Sequence, residues 1–141
     1  IQPAGLQSGI AGLWTPVLVP RVGQCEWTCN ACGTVCPTGA IRPLDLATKQ
    51  ATRIGLAYID QNSCIPWSDR RDCIVCEEMC PLPDKAIKLD LADRPGGQPL
   101  KLPRVDREKC IGCGICERKC PVGGESAIRV YAVGLATQGA G

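Results

Sequence analysis

The sequence predicts an α+β fold of short strands and helices, in which binding loops stand where a broad apolar core would otherwise be. Three observations lead there. Twelve cysteines fall in three dense groups, 25–36, 64–80 and 110–120. The segments around the groups repeat: Ile59-Asp60-x3-Cys64 matches Val105-Asp106-x3-Cys110. Each group is followed by the same step, Ala40-Ile41-Arg42, Ala86-Ile87-Lys88 and Ala127-Ile128-Arg129. Aromatic residues make up 4% of the chain and Phe is absent, so little conventional core is available and the scaffold needs staples.

Residues 1–24 carry no cysteine. Pro16 and Pro20 interrupt the apolar run from Ile10 to Val22, which predicts an extended N-terminal arm. Trp14, Val17 and Val19 are read as packing this arm on the body, since scattered apolar residues on a surface segment are ordinary. The cysteine domain covers 25–133. Within it, 45–53 reads as a short helix or loop, and Ile54 to Asp60 as a strand with β-branched and aromatic residues in partial alternation. The insertion Ile65 to Asp72, with Pro66, Trp67 and a run of charges, is expected to loop out at the surface. Ala86 to Leu91 is a second strand. Asp93 to Pro103, centred on Pro95-Gly96-Gly97, is a turn or hairpin excursion. Leu102 to Asp106 leads into the third group, Ala127 to Val133 forms the last strand, and 134–141 is a glycine- and alanine-rich, flexible tail. Each unit is therefore strand, cysteine loop, short helix, strand. The opening Ile1-Gln2-Pro3 is similar to Ile41-Arg42-Pro43, as though another cysteine group lay just upstream.

The third group is the most regular. Cys110-x2-Cys113-x2-Cys116-x3-Cys120-Pro121 is the run by which bacterial ferredoxins hold [4Fe–4S] clusters, the fourth cysteine serving a neighbouring cluster where clusters are paired. Three thiolates two residues apart can converge on one cube if the loop is tight. Gly112 and Gly114 tighten it and let backbone N–H groups approach the sulfurs. Pro121 turns the chain away after the last cysteine. The first group, Cys25-x3-Cys29-x2-Cys32-x3-Cys36-Pro37, has one extra residue in its first gap. The second, Cys64-x8-Cys73-x2-Cys76-x3-Cys80-Pro81, carries the insertion.

Disulfides and zinc compete with this reading. Dense C-x2-C groups are poorly arranged for six separate bridges. Zinc uses two pairs per site and needs neither a third cysteine two residues on nor a proline after the fourth. A structural zinc module that scaffolds a complex is the alternative, and colour and iron content separate the two. All twelve cysteines are thus assigned as ligands of three [4Fe–4S] clusters in a ferredoxin-like fold. None of the three groups substitutes Asp or Ser for a cysteine, so no iron keeps an open site. This argues for outer-sphere electron transfer, with no catalytic residues and no substrate site of its own. Asp60 and Asp106 fit turn roles, and Lys109, Arg118 and Lys119 a solvated face.

Composition narrows the rest. The absence of histidine removes Rieske centres, histidine-ligated haem and Cys/His zinc modules. The formal charge of +2 counts thiols as neutral; twelve thiolates around three cluster cores of about +2 each bring it near −4. Weak basicity is therefore no sign of nucleic acid. No apolar run approaches the ~20 residues of a membrane span. With no signal sequence and Ile1 in first place, the chain reads as processed or truncated.

Taken in order, a C-P-T-G-A-I group, I-G-L-A-x-x-D-x-x-x-C-x-P-W, C-x-V-C-x-x-x-C-P and C-x-G-C-G-x-C-E-x-x-C-P-V resemble polyferredoxins of the ferredoxin-type quinol dehydrogenase group. These are iron–sulfur subunits associated with periplasmic nitrate reductase and methylamine oxidation. The resemblance runs from about Ile1 to Val130, most specifically at Cys36 to Ile41, Ile54 to Trp67 and Cys73 to Pro81. Family members carry four cysteine groups and this chain shows three, the first being absent. Gly12 to Val17 and Arg21 to Cys25 are similar to the segment joining the family's first two groups. The resemblance implies electron transfer from a membrane quinol-oxidising partner to a downstream redox protein. It implies a hetero-oligomer associated with the membrane through partners or a missing segment, on the periplasmic face.

It also bears on which cysteines share a cluster. The chain itself leaves two pairings open, because the loops between successive groups are similar in length. By resemblance to four-group proteins the pairs nest: Cys25, Cys29 and Cys32 share a cluster with Cys80, and Cys64, Cys73 and Cys76 share one with Cys36. Cys110, Cys113 and Cys116 are then completed by Cys120, or by a cysteine upstream of Ile1 in a longer protein. The rival pairs the second and third groups, joining Cys120 to Cys64 and Cys80 to Cys110.

Overall fold

A computed structural model describes residues 1–6 and 9–132; the expected tail, 134–141, lies outside them. Among the described residues every helix is short, six residues at most, and below the length at which isolated helices persist. Their stability therefore comes from packing. The order is β1 (Gln2–Pro3), β2 (Pro16–Val17), α1 (Ala31–Thr34), α2 (Leu46–Ala51), β3 (Leu56–Ile59), α3 (Ile65–Ser68), α4 (Val75–Glu78), β4 (Ile87–Ala92), β5 (Leu100–Val105), α5 (Ile115–Lys119) and β6 (Ile128–Tyr131).

The strands form three antiparallel pairs. β3 lies on β6, with Ala57 opposite Val130 and Ile59 opposite Ile128. β4 and β5 make a hairpin from Ile87 opposite Val105 to Ala92 opposite Leu100. The excursion expected over 93–103 is thus partly strand. Pro103 is tolerated in β5 because that strand pairs on one side only. Between the pairs sits a core of small residues and cysteines: Ala57, Ala86, Ile87, Cys110, Cys116 and Ile128. α4 packs on α5, and β5 touches both β3 and α3.

Local chemistry sets the helix and turn positions. Asp45 starts α2, its carboxylate accepting from the Thr48 N–H at 2.9 Å and the Thr48 hydroxyl at 2.6 Å. Asp60 accepts from the Asn62 N–H at 3.0 Å, and Asp106 from the Glu108 N–H at 3.1 Å, the turn roles their repeat positions suggest. Lys109 is more than a solvated charge: it bridges Asp84 at 2.6 Å and Asp106 at 3.5 Å.

Two segments differ from expectation. The arm doubles back, β1 pairing with β2 in the register Gln2 to Val17. Trp14 does not pack: its φ is 66° and its side chain is 77% exposed, while Val17 and Val19 are half-buried. What docks the arm is Arg21. Its guanidinium donates to the carbonyls of Glu117 and Cys120 at 3.0 Å each and of Val122 at 2.7 Å, at and just beyond the end of α5; the Glu117 carbonyl also accepts from the Ser126 hydroxyl at 3.2 Å. The insertion after Cys64 does not simply loop out. Its first half forms α3, where Pro66 sits in the first turn at no hydrogen-bonding cost and is fully buried. The Trp67 indole donates to the Pro103 carbonyl at 3.1 Å, fixing α3 to β5. Among the described residues no helix is long and apolar enough to cross a membrane.

Candidate metal centre

Two cavities flank the shared core. The first is lined by Cys64, Cys73, Cys76 and Cys120, with Pro121 and the Ala127-Ile128 step beside them. The second is lined by Cys80, Cys110, Cys113 and Cys116, with Pro81 and the Ala86-Ile87 step. The two are images of one another in the sequence repeat. Each takes three cysteines from one group, and the proline-flanked cysteine and Ala-Ile step from the other. The nested pairing is therefore corrected. Cys80 faces the third group's thiols and not the first group's, and Cys120 completes the second group in place of Cys36. The physical reason lies in the strands: β3 pairs with β6 and β4 with β5, which locks the second and third units together as one body.

The third group's loop is shaped by glycine, as its spacing suggests. Gly112 and Gly114 have φ of +76° and +81°, in the left-handed region. Gly112 passes against the backbone of Gly55, and the neighbouring Ile54 N–H donates to the Ile111 carbonyl at 2.9 Å. This contact sets the loop on β3, where the Ala57 N–H reaches the Cys110 sulfur at 3.4 Å.

Both cavities are apolar. No charged side chain lines either one, and each has a cavity volume of about 20 Å³. Burial accordingly pushes the Cys64 thiol up to about 11 and Cys76 to about 12, and it raises Cys113 and Cys116 as well. Backbone N–H groups, among them those of Trp67 and Ile115, oppose this only in part. A bare thiolate is unfavourable there at neutral pH. Four of them become tolerable only around a positively charged group.

The size of that group can be tested on the donor set. A single tetrahedral zinc needs every sulfur within ~2.3 Å of the metal. Among the described residues no three Cys, Asp or Glu side chains converge that tightly. Four cysteines spread around an apolar hollow suit a larger, polynuclear centre, and the residues present fit an iron–sulfur cube.

The first group stands apart. Cys29 and Cys32 are exposed, and Cys25 and Cys36 are half-buried. The Cys25 N–H donates to the Cys113 carbonyl at 2.8 Å, which puts this group beside the second cavity. The Ile41 N–H, 3.5 Å from the sulfur, and the Thr38 hydroxyl bring the Cys36 thiol down to about 7. Ala40, unlike its repeat counterparts Ala86 and Ala127 at 2% exposure, is on the surface. The contribution of Arg21 was not visible from sequence, since nothing local marks an arginine whose targets lie about a hundred residues on.

A family model described as a 4Fe-4S binding domain matches residues 102–128, which contain the third group. The chain is 35% identical over 129 residues to the methylamine utilization ferredoxin-type protein MauM of Methylophilus methylotrophus, covering 89% of this chain and 56% of that protein. It is 35% identical over 133 residues to MauM of Methylorubrum extorquens, covering 93% and 59%. To the ferredoxin-type protein NapG of Escherichia coli it is 38% identical over 137 residues, covering 94% and 58%. The chain thus spans a little under three-fifths of the length of these relatives.

Proposed function

We propose that this chain, a homologue of ferredoxin-type proteins with a 4Fe-4S binding domain, relays electrons through three [4Fe–4S] clusters. The observation that carries the reading is the pair of apolar cavities, each lined by three cysteines of one group and the last cysteine of the other. One cluster is assigned to Cys64, Cys73, Cys76 and Cys120, and one to Cys80, Cys110, Cys113 and Cys116. The third is assigned to Cys25, Cys29, Cys32 and Cys36, with 25–133 as the cluster-holding unit behind the arm.

Bound, each cluster supplies a centre that gains and loses one electron. The chain's own residues do the rest. Ile59, Ile128, Leu82 and Val130 keep water from the sulfurs, the Ala57 N–H leans on Cys110, and the glycine turns hold the thiols in place. All twelve cysteines are assigned as ligands, so transfer is outer-sphere and the chain has no substrate site of its own. The likeness to the MauM and NapG proteins supports work beside other redox proteins. On that basis the chain serves as a subunit or domain of a membrane-associated, quinol-linked oxidoreductase, on the periplasmic face.

Anaerobically purified protein is expected to contain about 12 Fe and 12 sulfides per chain and to bleach with dithionite. About eight of each would leave the first group empty and reduce the count to two clusters. Stoichiometric zinc without acid-labile sulfide would refute the reading altogether.

A further inference from the structure

The outer face of the β3–β6 pair forms one wall of a groove that the cluster chemistry does not use. Leu56 and Tyr58 lie opposite Tyr131 and Arg129, so these four share one face while Ala57, Ile59, Ile128 and Val130 turn inward. Tyr58 is 56% exposed and Tyr131 39%. Trp67 and the segment from Pro103 to Arg107 make the opposite wall, and the groove between them has a volume of about 720 Å³.

What lines the groove is unusual for this chain. The sequence has three Trp, two Tyr and no Phe, yet both tyrosines and one tryptophan meet here. Three arginines join them, Arg104, Arg107 and Arg129, against one lining carboxylate, Asp60. Arg104 is tied to Asp90 at 2.7 Å, and Arg129 to Glu125 at 3.0 Å and to the lining Asp60 at 4.0 Å, while Arg107 has no ion-pair partner among the described residues. Trp, Tyr and Arg are the residues that dominate protein–protein binding energy. Arg107, the cation left over once these pairs are made, favours a partner that presents carboxylates.

The groove also borders the first cluster cavity. Ile59 and Pro103 line both, so one residue's thickness separates a docked partner from the centre held by Cys64, Cys73, Cys76 and Cys120. We propose that this groove is the docking site for an acidic redox protein, and that electrons pass there through Ile59 and Pro103. Each encounter moves one electron between the cluster and a one-electron metal centre of the partner, with no bond made or broken. The inference rests on the electron-carrier reading above.

The test uses the full, cluster-loaded chain, reduced with dithionite and mixed in a stopped-flow instrument with oxidants of opposite charge. Acidic plastocyanin and basic cytochrome c serve as the probes. Arg104→Glu with Arg107→Glu, both exposed side chains, is expected to slow plastocyanin about tenfold or more at low ionic strength. Salt should erase most of the difference, and cytochrome c should not be slowed. The control, Arg71→Glu with Arg42→Glu, makes the same charge change at exposed side chains outside the groove and should alter the plastocyanin rate less than twofold. Equal slowing by the control, or no slowing by the groove variant, overturns the proposal. So does a dimer that the groove substitutions disperse, because a second copy would then be the occupant. Iron and sulfide measured on the same samples keep the two readings apart. A chain without clusters refutes the carrier, whereas a loaded, reducible chain with an indifferent plastocyanin rate refutes only the groove.

Discussion

Replacing Gly112 by alanine tests how the third cysteine loop is held. The residue has φ +76°, which costs an L side chain roughly 1–2 kcal/mol. Its new methyl would also lie 2.4 Å from the N, Cα and C atoms of Gly55. Those are backbone atoms, so no rotamer change relieves the clash. The loop must lift, against the bond from the Ile54 N–H to the Ile111 carbonyl. Overpacking of this kind adds about 1–3 kcal/mol. Gly124 is the matched control: φ is +67°, with nothing within 4 Å of an added methyl. Gly124→Ala should therefore cost about 1–2 kcal/mol and Gly112→Ala about 2–5 kcal/mol. With a urea slope of roughly 1–3 kcal/mol/M, the extra ~2 kcal/mol lowers the midpoint by about 1–2 M relative to the control. Urea-driven loss of the visible cluster absorbance, followed anaerobically, reads this directly. Equal midpoints for the two variants would refute the assigned contact between the loop and β3.

Other expectations follow from the same geometry. Cys80→Ala and Cys110→Ala should each lose the same iron, so the double variant should contain no less than either single one; additive loss would separate their sites. Arg21→Ala leaves the Cys120 and Val122 carbonyls without their donor and the Glu117 carbonyl with Ser126 alone, and should cost about 1–3 kcal/mol in urea unfolding, with lysine restoring only part because one ammonium cannot span all three. Lys109 and Lys88 hold the Asp84 carboxyl at about 2, so its contribution is fully present above the unfolded value near 4 and lost as pH falls toward 2. The stability difference between the parent and Asp84→Asn should accordingly be constant from pH 5 to pH 8, and a slope in that range would contradict the assignment. Removing iron with a chelator and oxidant should abolish cooperative unfolding, measured by circular dichroism, because the core is built around the thiols.

The strands and turns were legible because their signals are local. Asp60 and Asp106 mark the turns at matching places, and Ala86-Ile87 and Ala127-Ile128 mark the strands that follow. The chemistry of the cysteines was legible for the same reason, since spacing along the chain dictates which thiols one loop can gather. The exchange of the fourth cysteine was not, because it depends on which strands pair. The Ala-Ile step did carry a hint in the second and third units, as a buried position each offers to the other, although Ala40 of the first unit is on the surface. Trp14 and the insertion misled for opposite reasons. An isolated tryptophan suggests burial but has no neighbour to supply it, whereas Pro66 suggests a loop and instead opens a buried helical turn. The docking role of Arg21 depends on carbonyls that exist as a target only after α5 has formed.

The crossing of ligands between the second and third groups has a consequence for how the protein is made. Cys64, Cys73 and Cys76 leave the ribosome well before Cys120, the thiol that closes their cavity. At roughly 5–20 residues per second the interval from Cys64 to Cys120 lasts about 3–11 s. Through that time the earlier thiols have neither their fourth partner nor the β3–β6 pairing that shelters them. The second cavity is no earlier, because Cys80 waits for the whole third group. Neither cavity is complete before the third group has been made. Loading of either proposed centre is thereby tied to synthesis of the third group, and a stall anywhere between the two groups yields exposed thiols and no finished cavity.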